Sequence, residues 1–282
     1  MAEVSSTYTI SNTLKIYMCN PFSMMNPHLP MKGRIVKCIT YSQDKKLFRI
    51  EANIDFIPGQ FVEISIAGVG EFPVSICSAP HEKNFFEICV KKVGRATSYL
   101  FSMEEGAFIG YRGPFGNGFP IEKLKGEDIL IIAGGIGILP LRSFIKEIIH
   151  EKDYGKIKIL YGAKEPPAML FRDELNEWRK KAEITEVFER GSEKQGLVSD
   201  VIAEVEIQGN EYALICGPNA MFNPVVKKLI EKGIEEERIF LSVERRMKCG
   251  IGKCGHCVFG GSYYTCTDGP VFSYADYKHA IL

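Results

Sequence analysis

Neither charge is in excess: Lys and Arg total 35 and Asp and Glu total 35 across 282 residues. A balanced chain has no electrostatic pull on nucleic acid or an acidic membrane surface, and neither partner is expected. Long apolar runs are also missing. The longest, Ile129 to Leu141, has 13 residues including three glycines, too short and too flexible for a hydrocarbon core about 30 Å thick. No membrane insertion is expected. The first residues, MAEVSSTYTISNTLKIYM, lack a basic region followed by an apolar stretch, so they do not read as a secretory signal, and a cytoplasmic location is expected. Repeats at solenoid periods and low-complexity tracts are absent as well. What is present is an ordinary globular composition, 45% hydrophobic and 25% charged, with ample apolar material for one to three domains.

The nine cysteines are unevenly spread. Cys19, Cys38, Cys77, Cys89 and Cys216 are scattered, whereas Cys249, Cys254, Cys257 and Cys266 fall within 18 residues. A disulfide framework is not expected in a chain of this length without a secretion signal, so the cluster reads as a metal site.

Residues 1–33 carry Pro21, Pro27 and Pro30 and little periodicity, and read as an arm on the body or on a partner, with Met18 to Pro30 as the stretch to pack there. From Arg34 onward, six short β-type runs (RIVKCITY, LFRIEANI, FVEISIA, VSICSA, FFEICVKK, AFIGYRG) alternate with turn signals. They predict a small antiparallel six-stranded barrel over 34–122, interrupted by one helix at Thr97 to Met103. Over 123–243 strands alternate with amphipathic helices, which predicts a parallel-sheet α/β domain. Its first strand, DILIIAGG, leads through Pro140 into a helix with Leu141, Phe144, Ile145, Ile148 and Ile149 on one face. Residues 244–282 are expected to form a small C-terminal lobe around the four clustered cysteines.

Three patterns carry chemistry. The spacing Cys249-x4-Cys254-x2-Cys257-x8-Cys266 matches the plant-type [2Fe–2S] loop in its first three ligands, with a fourth thiolate downstream. Gly250, Gly252 and Gly255 let the loop wrap tightly and bring backbone N–H groups to the sulfurs. A structural zinc site is the alternative, although zinc knuckles favour symmetric pairs. His256 lies inside the loop, but four cysteines already complete a ligand set, and it reads as a surface residue. The second pattern is Gly134-Gly135-Ile136-Gly137-Ile138-Leu139-Pro140 at a strand-to-helix junction, suited to a diphosphate. It lacks the G-x-G-x-x-G spacing and is equally a glycine-rich turn when taken alone. Cys216-Gly217-Pro218-Asn219-Ala220-Met221 ends another strand on the same carboxyl edge, and the two junctions support each other. Cys216 by itself reads as a buried small hydrophobe. The third pattern lies in the barrel: Pro73-Val74-Ser75-Ile76, Gly94-Arg95-Ala96-Thr97 and Gly113-Pro114-Phe115-Gly116-Asn117-Gly118-Phe119. Thr97 is expected to cap the helix and help hold phosphate, while Ser75 and the glycine-rich stretch also read as a strand serine and a turn.

A barrel, a nucleotide-type α/β domain with GGxGxxP and CGPxxM, and a four-cysteine tail together resemble the ferredoxin–NADP reductase superfamily. Within it the chain is similar to FAD- and NAD(P)-binding iron–sulfur electron-transfer subunits, a group that includes the gamma subunit of cytoplasmic sulfhydrogenase and the electron-transfer subunits of anaerobic sulfite reductase and of dihydroorotate dehydrogenase. The likeness covers roughly Pro30 to Tyr274, and PGQFVEISIAGVGEFPVSICSAP, LPLRS, ERRMKCGIGKCGHC and CTDGPVFSY look most like the sulfhydrogenase type. The resemblance implies an FAD-binding barrel with flavin positions at Phe72, Pro73, Val74, Ser75, Cys89, Val90, Lys91, Gly94, Ala96 and Thr97. The family's usual arginine is replaced here by Phe72. It further implies NAD(P)H as substrate, with nicotinamide-site positions at Gly134, Gly135, Gly137, Cys216, Gly217 and Met221, of which Cys216 faces the nicotinamide, and a [2Fe–2S] cluster on Cys249, Cys254, Cys257 and Cys266. The implied activity is electron transfer between NAD(P)H, FAD and the cluster to or from a catalytic redox subunit of hydrogenase type in a hetero-oligomer. The alternatives are an electron-transfer subunit of anaerobic sulfite reductase or dihydroorotate dehydrogenase, a free-standing NAD(P)H:acceptor reductase and a non-enzymatic zinc-stabilised module. Lys164 and Arg172 follow the second α/β strand, where a 2′-phosphate would be recognised, but a solvated helix face explains them equally well.

Overall fold

A computed structural model of the chain describes residues 26–151, 153–192 and 195–281. The arm expected over 1–33 lies outside the described residues as far as residue 25, and so does most of the Met18 to Pro30 stretch.

Six strands form the first sheet: β1 (Met31–Thr40), β2 (Lys45–Glu51), β3 (Phe61–Ile66), β4 (Gly70–Ser75), β5 (Phe85–Lys91) and β6 (Phe108–Phe115). All pairings are antiparallel, in the order β4-β3-β6-β1-β2-β5. Residues of one pleat face, among them Ile35, Phe48, Ile50, Val62, Ile64, Phe86 and Ile88, fill the interior. Each such side chain contributes about 1.5–3 kcal/mol on burial. The sequence places the fourth strand on VSICSA, whereas the structure places it at Gly70–Ser75. A tight turn closed by the Val69 N–H on the Ile66 carbonyl (2.9 Å) completes the β3–β4 pairing by Ser75. Beyond it Ile76 donates to the Gln60 carbonyl (3.1 Å) and Cys77 to the Glu87 carbonyl (2.8 Å), so the second half of that run ties β4 to β5 and closes the barrel. Helix α1 (Arg95–Ser102) follows β5 and buries Leu100, and the short α2 (Ile121–Leu124) leads out of the barrel.

The second unit runs β7 (Ile129–Gly134), α3 (Ile138–His150), β8 (Ile157–Ala163), α4 (Arg172–Trp178), β9 (Glu183–Phe188), α5 (Val198–Val201), β10 (Tyr212–Cys216), α6 (Asn219–Glu231) and β11 (Ile239–Ser242). The five strands are parallel, in the order β11-β10-β7-β8-β9. Every residue of β7 is buried, as a central parallel strand covered by helices on both faces requires. The apolar face of α3 lies on the sheet through Leu141, Phe144, Ile145 and Ile148. Strand order reverses between β7 and β10, and Ala133 sits beside Cys216 at their carboxyl ends. That reversal is where open α/β sheets hold ligands.

The C-terminal lobe contains a small hairpin, β12 (Val258–Phe259) and β13 (Tyr263–Tyr264), followed by β14 (Val271–Ser273) and α7 (Tyr274–Ile281). Strand β14 pairs antiparallel with β11, so the lobe supplies a sixth, antiparallel strand to the otherwise parallel sheet and covers an edge otherwise left open.

Barrel and α/β unit share one apolar cluster, in which Leu47, Cys77 and Cys89 join Ile138, Leu139 and Phe144. Buried Arg142 of α3 fastens the seam. Its guanidinium donates to the Cys77 carbonyl (2.6 Å), to Glu87 on β5 (2.8 Å) and in bidentate fashion to Glu174 on α4 (2.8 and 2.7 Å).

Candidate functional site

A cleft of about 280 Å³ opens between the barrel and the carboxyl edge of the α/β sheet. Its barrel wall is Phe61, Phe72, Pro73, Val74, Ser75, Cys89, Val90, Lys91, Val93 and Thr97, and its opposite wall is Ile136, Leu139, Pro140, Cys216 and the segment Ser242 to Arg245, closed by Met247 and Pro270. Most barrel positions singled out in the sequence therefore converge on one space, together with Cys216. Gly94 and Ala96 stand beside it at the start of α1, where Gly94 precedes the first turn. The sequence places Thr97 at the head of this helix, as its cap. It is instead the third helical residue, and its hydroxyl oxygen accepts from the Val93 (3.0 Å) and Gly94 (2.9 Å) N–H groups while donating to the Gly94 carbonyl (3.0 Å). The helix begins two residues earlier because these bonds satisfy donors ahead of it.

Cys216 is 1% exposed, and burial pushes its thiol up to about 12, with the Glu244 carboxylate adding to the shift and the Ser242 hydroxyl and Gly217 N–H opposing it. Such a thiol is neutral at physiological pH, a weak donor rather than a nucleophile. Glu244, two residues beyond β11, lines the same cleft, and its carboxyl is pushed up by desolvation. Sequence reasoning missed this residue. The available signal was an acidic side chain at the carboxyl end of the last parallel strand.

A second groove, of about 330 Å³, lies across the ends of β7, β8 and β9 and is lined by Gly134, Gly135, Lys164, Glu189, Val198, Pro218 and Met221 among others. Gly137 does not line it. A Cβ there would collide with the Cys216 carbonyl and the Gly217 nitrogen, which is the physical link between the two glycine motifs. Gly134 and Gly217 both pack on Met221, whose sulfur would be 2.7 Å and 3.0 Å from a Cβ at those positions. Lys164 lines the groove, whereas Arg172 at the start of α4 does not.

The four clustered cysteines sort into two pairs. Cys257 and Cys266 are buried with sulfurs 3.3 Å apart, and Cys249 hydrogen-bonds the exposed Cys254. Backbone N–H groups of the intervening loop point at the sulfurs, Gly252 to Cys266 (3.1 Å) and Lys253 to Cys249 (3.3 Å). Burial alone would push the Cys249 thiol up, but N–H donation from Ile251, Cys254 and Lys253 lowers it to about 6. Two thiol pairs ringed by N–H donors fit an anionic cluster of two irons, each needing two sulfurs, better than one zinc ion needing four sulfurs at a point. His256 is exposed, with Nδ1 3.1 Å from the Cys254 carbonyl.

The cluster lobe and the barrel cleft meet. Phe61 and Met247 line the cleft and also pack on Cys257 and Cys266. Buried Arg112 on β6 holds the junction, donating to the Cys249 (2.9 Å) and Lys248 (3.3 Å) carbonyls and to both Glu71 oxygens. The stretch Gly113 to Phe119 has a use the sequence did not indicate. It does not line the cleft: Asn117 donates to the Asp268 and Val271 carbonyls (both 2.8 Å) and accepts from the Val271 N–H (3.2 Å), anchoring the lobe. Phe119, which ends that stretch, is 1% exposed in the core against Phe144.

An antiparallel barrel facing the carboxyl edge of a nucleotide-type sheet, with a four-thiol lobe docked on both, defines a flavin- and nicotinamide-dependent iron–sulfur oxidoreductase. Comparison with known proteins agrees: residues 32–119 match an oxidoreductase FAD-binding domain, 131–227 an oxidoreductase NAD-binding domain, and 244–277 the iron–sulfur cluster binding domain of dihydroorotate dehydrogenase B. The chain is 42% identical to the sulfhydrogenase 2 subunit gamma of Pyrococcus furiosus over 89% of its own length and 97% of that protein. It is 37% identical to the probable dihydroorotate dehydrogenase B (NAD(+)) electron transfer subunit of the same organism, covering 81% of this chain and 84% of that one. Among solved structures, an NADH-dependent reduced ferredoxin–NADP oxidoreductase studied for flavin-based electron bifurcation superposes with a TM-score of 0.73 at 25% identity, covering 88% of this chain and 91% of that chain. The chain belongs to the ferredoxin-reductase-like family of FAD- and NAD-binding iron–sulfur electron-transfer subunits. No helix among the described residues is long and apolar enough to cross a membrane.

Proposed function

We propose that this chain is the pyridine-nucleotide-facing subunit of a cytoplasmic hetero-oligomeric redox enzyme, moving electrons between NAD(P)H, FAD and a [2Fe–2S] cluster to or from a catalytic subunit of hydrogenase type. The observation that carries this reading is the shared wall: Phe61 and Met247 touch both the flavin cleft and the cluster thiols, while Cys254 turns outward to solvent. When bound, FAD supplies the conversion between two-electron exchange with NAD(P)H and one-electron exchange with the cluster.

The protein's residues bind and orient. Phe72, Pro73, Val74 and Ser75, with Cys89, Val90 and Lys91, line the wall that would hold the flavin ring, and the Ser75 hydroxyl would offer it a donor. Gly94, Ala96 and Thr97 present the start of α1 to the FAD diphosphate. Gly134, Gly135 and Gly137 would let the nucleotide backbone approach β7, Gly217 and Met221 would shape the nicotinamide end, and the neutral Cys216 thiol in the cleft would offer the ring a packing and weakly polar surface. Cys249, Cys254, Cys257 and Cys266 hold the cluster, whose added charge is met by the loop N–H groups. None of this needs a general acid or base from the protein.

The hydrogenase-type partner is favoured by the 42% identity to a sulfhydrogenase gamma subunit over nearly all of that protein. A dihydroorotate dehydrogenase partner is the second reading, on the match of residues 244–277 to the cluster-binding domain of that enzyme. Anaerobic affinity purification of the chain from its own host, with mass spectrometry of what accompanies it, separates them. Recovery of a nickel–iron hydrogenase large subunit supports the first and a dihydroorotate dehydrogenase catalytic subunit the second. A colourless, zinc-containing protein without flavin refutes both.

A further inference from the structure

Two charged side chains, Lys164 and Glu189, and no arginine line the groove across β7, β8 and β9. They stand at the ends of neighbouring strands: the Glu189 N–H donates to the Ala163 carbonyl (3.2 Å) and the Arg190 N–H to the Lys164 carbonyl (3.1 Å). Neither side chain has a hydrogen-bond or ion-pair partner among the described residues, so both are free to meet a ligand. Neither nearby arginine lines the groove: Arg190 pairs at the surface with Glu165 (3.1 Å), and Arg172 is also outside it.

The two pyridine nucleotides differ at one position. NADH has a ribose 2′-hydroxyl, a donor; NADPH has a 2′-phosphate carrying nearly two negative charges and only acceptors. With the nicotinamide end at Gly134 and Met221, the adenosine ribose falls toward the outer strands, where Lys164 and Glu189 are. A carboxylate accepts well from a 2′-hydroxyl. It repels a phosphate. A planar, bidentate arginine, the side chain best matched to phosphate, is missing from the groove. Lys164 instead offers a point charge to the diphosphate that both nucleotides carry.

We infer that Glu189 is a specificity-determining residue that selects NADH over NADPH. The inference rests on the reading of this groove as the nucleotide site. A charge-assisted hydrogen bond gained by one ligand and a repulsion met by the other set the preference at about ten- to hundredfold.

The test uses the flavin- and cluster-loaded protein under anaerobic conditions, with ADP-ribose and 2′-phospho-ADP-ribose as calorimetric probes and NADH and NADPH in steady-state flavin reduction. Wild type is expected to bind ADP-ribose at least about tenfold more tightly. Glu189→Ser is expected to narrow that gap about tenfold, chiefly by tightening the phosphorylated probe, and to lower the KM for NADPH. Lys164→Ala is expected to weaken both probes alike. A wild-type preference for the phosphorylated probe, an unchanged ratio in Glu189→Ser, or a Lys164→Ala loss confined to that probe overturns the inference while leaving the electron-transfer reading intact. Failure of both probes and both nucleotides to bind overturns the two together.

Discussion

Replacing Arg142 by alanine removes the fastening between barrel and α/β unit. Glu87, 2% exposed, keeps only Arg49, whose guanidinium donates at 2.8 and 3.0 Å, while the Cys77 carbonyl loses its charged donor. Glu174 is 31% exposed at its side chain and recovers much of its solvation from water. An uncompensated buried carboxylate of this kind costs about 3–5 kcal/mol. The sign of the pH dependence follows from Glu87. Burial alone would push its carboxyl up, but attraction and hydrogen bonds from Arg142, with those from Arg49, hold it below its ordinary range. In wild type that contribution is present above the ordinary carboxylate value and is lost as pH falls through the depressed one. Without Arg142 burial dominates and the folded-state value rises, so the variant regains stability on acidification at about 1.4 kcal/mol per unit of upward shift. Urea unfolding at about pH 7.5 and about pH 5 measures both effects, and the deficit of Arg142→Ala is expected to be smaller at the lower pH. Flavin affinity is expected to fall as well, since Glu87 and Cys77 lie two residues from the cleft residues Cys89 and Ser75. A deficit below about 1 kcal/mol, or one that grows on acidification, refutes the reasoning.

Cys254→Ser is expected to abolish electron delivery to the partner and the electron paramagnetic resonance signal of the reduced cluster, while stopped-flow flavin reduction by the pyridine nucleotide stays largely intact; equal loss of both argues against the relay order. Asn117→Ala removes three side-chain hydrogen bonds to the cluster lobe and is expected to cost about 1–3 kcal/mol. Faster cluster bleaching on heating, with flavin retention unchanged, is the corresponding readout. Cys216, pushed up to about 12, is expected to resist iodoacetamide at about pH 8, where roughly one thiol in ten thousand is ionised. Peptide mass mapping of protein stripped of cofactors should find Cys254 alkylated well before Cys216.

Local signals made much of this molecule readable. The cysteine spacing brought four thiols into one lobe, and the glycine motifs after β7 and β10 lie side by side because Ala133 pairs with Cys216 in the sheet. Pro73, Val74, Ser75 and Thr97 share one cleft. What stayed hidden depends on contacts distant in sequence. Asn117 and Asp268 are 151 positions apart, so nothing near Asn117 showed that its turn anchors the lobe. Strand β14 has three residues and no alternation long enough to announce itself, and its place beside β11 follows from the lobe's docking. The shift of β4 came from a turn whose pairing with β3 outweighed the apolar run VSICSA. Glu244 was overlooked because a lone acidic residue after a strand looks like a solvated end until the barrel wall is set opposite it.

Mixing the anaerobic protein with NADH, and following flavin absorbance and the resonance signal of the reduced cluster in the same reaction, tests the electron path most directly. The flavin is expected to bleach first, the cluster signal then to grow at a rate independent of NADH concentration, and protein depleted of FAD to leave the cluster oxidised. Cluster reduction by NADH without flavin, or a bleached flavin that never passes electrons to the cluster, would contradict that path.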